Sequence, residues 1–87
     1  MSDLKSILLA APQGSHSPVD NKLKEMIKRW DAPPTAIQIL EVLDHAINGA
    51  LASDTVVMVL QIVYRATLES EGKTHEEVIT HAKWRNE

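Results

Sequence analysis

The sequence has no cysteine, only three glycines and no apolar run long enough to cross a bilayer. A chain without cysteine cannot form a disulfide framework, a thiolate metal site or a cysteine nucleophile. Three glycines leave little backbone freedom for a phosphate-binding loop, and none of the glycine-rich phosphate or nucleophile motifs occurs. Apolar runs such as 56–60 are far shorter than the roughly 20 residues of a spanning helix.

The N-terminal segment also lacks the features of a secretory signal. One lysine precedes an apolar run of only five residues at 7–11, which is too short for a signal peptide. We therefore expect no transmembrane segment and a cytoplasmic location. A chain of 87 residues is expected to form one domain, with a short helix and flexible loop in 1–19 and a helical core in 20–87.

Apolar residues are concentrated between residues 35 and 68, where 21 of 34 residues are apolar, against 17 of 53 in the rest of the chain. Read at a helical period, this stretch predicts two helices joined near 52–54. Each is apolar around most of its circumference, which is typical of helices covered on several sides. A small domain buries only roughly 60 to 65% of its unfolded surface, so the apolar excess predicts association.

Caps and helix breakers divide the chain into five predicted helices and no strand. Asp20 is a good N-cap for a second helix, in which an apolar stripe at helical spacing ends near Trp30. The β-branched residues of 56–63 favour strands, but the segment shows no apolar/polar alternation and has no partner strand. The first helix is predicted at 4–10, with Asp3 as its cap and Pro12 and Gly14 as the residues that end it. The third is predicted at 35–51, and the fourth from Ser53 or Asp54 to about residue 70, before Gly72. A capping box of Thr74 and Glu77 opens the fifth.

These elements predict an all-α fold, a small bundle of about five helices. The third and fourth helices are expected to form a central antiparallel hairpin, because only about two residues connect them. The other three helices are expected to pack around this hairpin.

Candidate catalytic and metal-binding groups are sparse, so we predict no enzyme activity, no cofactor and no metal site. His75 and His81 stand six residues apart, which directs their rings about 120° away from each other on a helix. Asp44 and His45 are adjacent, and adjacent helix positions do not face each other. The chain is also too small to enclose a catalytic pocket easily.

Self-association is predicted through the third and fourth helices, since both carry apolar side chains on more than one face. We expect homo-oligomers. The residues assigned to this contact are Ile39, Val42, Ala46, Val57 and Tyr64, although Tyr64 is also a good core residue whose hydroxyl needs a polar partner.

A second set of residues is predicted to bind a protein partner of unknown identity. Trp and Arg dominate energetic hot spots, so Trp84 and Arg85 near the C-terminus are one pair, although Trp84 is equally suited to closing the fold. The basic residues beside the second helix, Lys24, Lys28 and Arg29, are the other candidates. The predicted function is a non-enzymatic module that occupies a partner surface, as adaptors, chaperones or inhibitors do. The alternative is a regulator of nucleic-acid machinery that uses the basic helix at 22–29, which a net charge of −3 disfavours.

Overall fold

The computed structural model describes residues 4–11 and 17–85, and in these residues it is a helical bundle without β-strands. The predicted all-α fold and the number of helices are confirmed. The elements are α1 (Leu4–Leu9), α2 (Asn21–Ile27), α3 (Ala36–Gly49), α4 (Asp54–Glu71), α5 (His75–Thr80) and a short 3₁₀ turn (Lys83–Arg85).

The α3/α4 pair is the centre of the fold, and its predicted antiparallel arrangement is confirmed. The backbone N–H of Ala36, at the start of α3, donates a hydrogen bond of 2.9 Å to Oε2 of Glu71, at the end of α4. Four residues, 50–53, connect the two helices instead of the predicted two, because α3 ends at Gly49. Ser53 caps α4 by accepting the N–H of Val56, and Gly72 ends it in the left-handed conformation.

The C-terminal cap of α3 is an alanine in a conformation that normally favours glycine. Ala50 has φ of 52° and ψ of 41° and follows the helix directly. A residue with a Cβ, such as alanine, is strained in the left-handed region by roughly 1 to 2 kcal/mol. Glycine avoids this strain, but it loses somewhat more chain entropy than alanine on folding. The strain of alanine is larger than the extra entropy loss of glycine, so glycine should be the more stable residue at position 50.

We therefore expect Ala50→Gly to raise the free energy of unfolding by about 0.5 kcal/mol, measured by urea denaturation. The matched control is Ala66→Gly, the same substitution at an exposed position inside α4. It should lower the free energy of unfolding by about 1 kcal/mol, because glycine is a poor helix former. A loss of stability from Ala50→Gly would contradict the assignment of residue 50 as a strained cap.

The segment before α2 is paired with the α3/α4 connection. Val19 and Ala52 form an isolated antiparallel bridge. The N–H of Asp20 donates to the Leu51 carbonyl at 2.8 Å, and that of Ser53 donates to the Pro18 carbonyl at 2.9 Å. The loop predicted between the first helix and residue 20 is thus anchored at its C-terminal end, so the caps of α2 and α4 are fixed side by side. The predicted N-cap Asp3 and the breakers Pro12 and Gly14 lie outside the described residues.

The core is formed where α2, α4 and α5 pack around α3. Asp20 caps α2 as predicted, accepting the N–H of Lys22 at 2.8 Å. The helix ends at Ile27, earlier than predicted, but Trp30 is still buried. The largest fully buried side chains are Leu23, Ile27, Ile39, Leu60, Val19 and Val42.

Candidate protein-binding surface

The outer face of α4 is an exposed line of apolar side chains. Met58 and Ile62 are 59% and 62% exposed, and Val59 between them is 39% exposed. Thr55 and Ala66 extend the line by one turn at each end and are also exposed. We call these five residues the α4 stripe.

Helical geometry explains why the stripe is continuous. At 100° per residue, its five positions fall within about 100° of arc on one side of α4. Leu60 and Tyr64, which are buried, lie on the opposite side and face the core. The helix is apolar around most of its circumference, and the single hairpin can cover only the side that faces α3.

Two opposite charges border the stripe along the same edge. Asp54 and Arg65 are both exposed and lie at the first turn and the middle of α4. Within residues 4–11 and 17–85, neither side chain forms an ion pair. An apolar line bordered by available charges has the organisation of a binding surface, in which the apolar centre is desolvated and the polar rim sets orientation.

A separate polar cluster connects the C-terminal turn to α3. Asp44 accepts hydrogen bonds through Oδ2 from the Trp84 indole Nε1–H at 2.9 Å and from Arg85 Nε–H at 2.6 Å, and through Oδ1 from Arg85 Nη2–H at 2.8 Å. We call these three residues the Asp44 clamp. Because Trp84 is half-buried and packs against the core, the clamp fixes the 3₁₀ turn onto α3.

The clamp also determines the charge states nearby. Burial alone would raise the pKa of Asp44, but the hydrogen bonds from Arg85 and Trp84, with the positive charge of Arg85, hold that pKa below its ordinary value of 3.8. Burial raises the pKa of Tyr64 above its ordinary 10.0, with a further contribution from the charge of Asp44 against an opposing one from Arg85. At neutral pH the clamp is therefore a charged pair beside a neutral phenol.

Beside the clamp, α3 and α4 border an open groove of about 390 Å³, with Leu43, Ile47 and Tyr64 among the residues that line it. The Tyr64 hydroxyl, which the sequence required to have a polar partner, lies 2.7 Å from Nδ1 of His75. Two pairs of polar groups that line this groove, Tyr64 with His75 and Asp44 with Arg85, therefore bond to each other. His81 stands apart from this pair, and residues 4–11 and 17–85 contain no group of three or more acidic or histidine side chains placed to hold a metal ion.

The residues predicted to bind a partner are dispersed. Trp84 and Arg85 belong to the Asp44 clamp, so their polar atoms already bind within the chain. Lys24 is 3% exposed and its Nζ donates to the Ala11 carbonyl, so it does not belong to an exposed basic surface. Its position next to Leu23 on α2 allows the aliphatic stem to be buried, as long cationic side chains often are. Lys28 and Arg29 are exposed, and Lys28 pairs with Glu25 at 3.0 Å.

The residues predicted for self-association lie mainly inside the monomer. Ile39, Val42 and Ala46 are at most 1% exposed, Tyr64 is 6% exposed and Val57 is half-buried. The four buried residues have almost no surface to give to a second copy while the monomer keeps this fold, whereas Val57 keeps part of its surface. Self-association itself stays a prediction. Among the described residues, the exposed large apolar side chains are Met58, Val59 and Ile62 in the α4 stripe, with Ile7 on α1 and Ile47 on α3 standing apart from it. The sequence signal for that stripe was present, since Met58, Val59 and Ile62 were among the apolar positions, but the choice of face requires the tertiary arrangement.

No family model matches this chain, and no curated protein or solved structure is significantly similar to it. In the described residues, no helix has the length and apolar character needed to cross a membrane.

Proposed function

We propose that this protein is a non-enzymatic binding module that occupies the surface of a partner protein through the α4 stripe. The observation that carries the proposal is the exposure of Met58, Val59 and Ile62 on one face of the longest helix. Large apolar side chains grouped in this way, with charged groups at the border, are typical of interaction sites. A cytoplasmic location remains part of the proposal, on the strength of the sequence alone.

The polar side chains support a structural use over a catalytic one. Asp44 is held by Trp84 and Arg85, and Tyr64 is bonded to His75. His45 donates from Nδ1 to the Glu41 carbonyl one turn earlier in its own helix, at 2.8 Å. A general acid or base needs a free reactive atom beside a space for substrate, and each of these groups uses at least one polar atom to hold the fold.

The nucleic-acid alternative has weaker support in the structure than in the sequence. Of the cationic residues around α2, Lys24 is buried and Lys28 is paired with Glu25. Lys22 and Arg29 are exposed, but two cations bordered by Asp20 and Asp31 make a poor phosphate-binding surface. A protein partner is the better supported proposal.

The proposal is tested by photocrosslinking from the stripe in the cells that naturally produce the protein. A photoreactive amino acid at position 62 should give adducts with a partner, because this side chain is exposed in the centre of the stripe. The control places the same group at Glu76, an exposed position on α5 away from the stripe. Adding Ile62→Asp to a protein that carries the photoreactive group at position 58 should abolish the adducts while leaving the circular dichroism spectrum unchanged. Equal adducts from positions 62 and 76, or none from 62, would contradict the proposal.

A further inference from the structure

We infer that the occupant of the α4 stripe is a second copy of this chain, docked antiparallel along α4 about a two-fold axis. This inference rests on the proposed function, because it uses the same surface and names the partner. It is carried by two features of the exposed face, the spacing of the residues of the stripe and the order of the charges beside it.

The spacing of the stripe suits helix pairing. Thr55, Val59, Ile62 and Ala66 are separated by four, three and four residues, the repeat with which two helices keep a common seam. With the two-fold axis midway between positions 59 and 62, Val59 of one copy lies opposite Ile62 of the other, and Thr55 lies opposite Ala66. Each small side chain then faces another small one at the ends, and the larger ones meet at the centre.

The charges select the antiparallel orientation. In an antiparallel pair with this symmetry, each edge of α4 meets the same edge of the second copy. Arg65 lies two residues, or about 3 Å along the helix, from the position opposite Asp54 of the second copy, within reach of its long side chain. The symmetry repeats this contact, so the dimer has two Asp54–Arg65 pairs. A parallel two-fold pair would instead bring this edge of α4 against the opposite edge of the second copy, so Asp54 and Arg65 would lie on different sides of the seam from their counterparts and form no pair across it.

The size of the surface sets the expected strength. The stripe offers on the order of a few hundred Å² of apolar surface per copy, below the roughly 800 Å² per partner of a standard stable interface. We therefore expect a reversible dimer with a dissociation constant in the micromolar range.

The experiment is sedimentation equilibrium of the full chain at low salt, from low micromolar to near-millimolar concentration. Wild type should show a monomer–dimer equilibrium. Asp54→Arg and Arg65→Asp should each weaken the dimer about tenfold, because each change turns two attractive pairs into repulsive ones. An equimolar mixture of these two variants should associate at least as well as wild type, since one chain then has two cations and the other two anions. High salt should reduce all these differences.

Each result supports or overturns the inference. A chain that stays monomeric over the whole concentration range overturns the inference. The proposed function would still stand in that case if photocrosslinking from position 62 gave adducts with a different protein. A dimer that persists in Ile62→Asp excludes the α4 stripe as the contact. A dimer that Ile62→Asp abolishes, but that the charge reversals and their mixture leave unchanged, excludes the antiparallel register. Circular dichroism of each variant confirms that the monomer is folded.

Discussion

Replacing Ile39 with alanine is expected to lower the free energy of unfolding by about 3 kcal/mol, whereas the same change at Ile62 should alter it by less than about 0.5 kcal/mol. Both are isoleucines in long helices, but Ile39 is completely buried and Ile62 is 62% exposed. Truncation of Ile39 removes buried apolar contacts and leaves a cavity, whereas Ile62 loses surface that water already contacts. Urea denaturation at low micromolar concentration, where the monomer dominates, measures both effects.

This pair of variants separates the core face of the hairpin from its binding face. If Ile39→Ala were tolerated and Ile62→Ala were strongly destabilising, the assignment of the buried and exposed faces of the hairpin would be wrong. The complementary readout is association, which Ile62→Ala should weaken and Ile39→Ala should leave unchanged wherever the protein stays folded.

The helical framework was predictable because its signals are local. A side-chain cap such as Asp20 or Ser53 satisfies backbone groups within three residues, and Gly72 provides the left-handed conformation at the next residue. The hairpin followed from a short connection between two long apolar helices. These features require no knowledge of distant parts of the chain, so sequence alone located them to within a few residues.

The binding surface was less predictable because it depends on distant contacts. The apolar residues of α3 and α4 suggested more than one helix face that could bind a partner. Which of these faces is buried depends on where α2 and α5 pack, and the sequence pattern does not show that. Lys24 illustrates the same limit, since its Nζ bonds to the carbonyl of Ala11, 13 residues away. The pairing of Asp44 with Arg85 spans 41 residues and has no periodic signal in the sequence.

Trp84 shows how composition alone leaves two interpretations open. A tryptophan beside an arginine near the end of the chain suits an interface anchor and a fold-closing residue equally well. The structure supports the second role, because the indole is half-buried against the core and its N–H binds Asp44 at 2.9 Å. The arginine beside it completes the clamp instead of extending toward a partner.

We therefore expect Trp84→Ala to lower the free energy of unfolding by about 2 kcal/mol at neutral pH. It removes both the apolar contact of the indole and a hydrogen bond to a charged carboxylate. Trp84→Phe keeps most of the contact but not the hydrogen bond, so its loss should be about half as large. Crosslinking from the α4 stripe should persist in both variants wherever they remain folded. Unchanged stability in Trp84→Ala, together with lost crosslinking, would instead make Trp84 an anchor.

The contribution of the clamp should also depend on pH, in a direction that its charges determine. Folding lowers the pKa of Asp44 below 3.8, so its contribution is complete above that value and is lost as the pH falls through the lower folded pKa. Asp44→Asn keeps the shape of the side chain but not its charge. Its stability should therefore lie furthest below that of wild type near neutral pH, and the two should converge as the medium becomes strongly acidic. A difference that stayed constant with pH would contradict a role for the charge of Asp44, because only the ionised carboxylate attracts the guanidinium of Arg85.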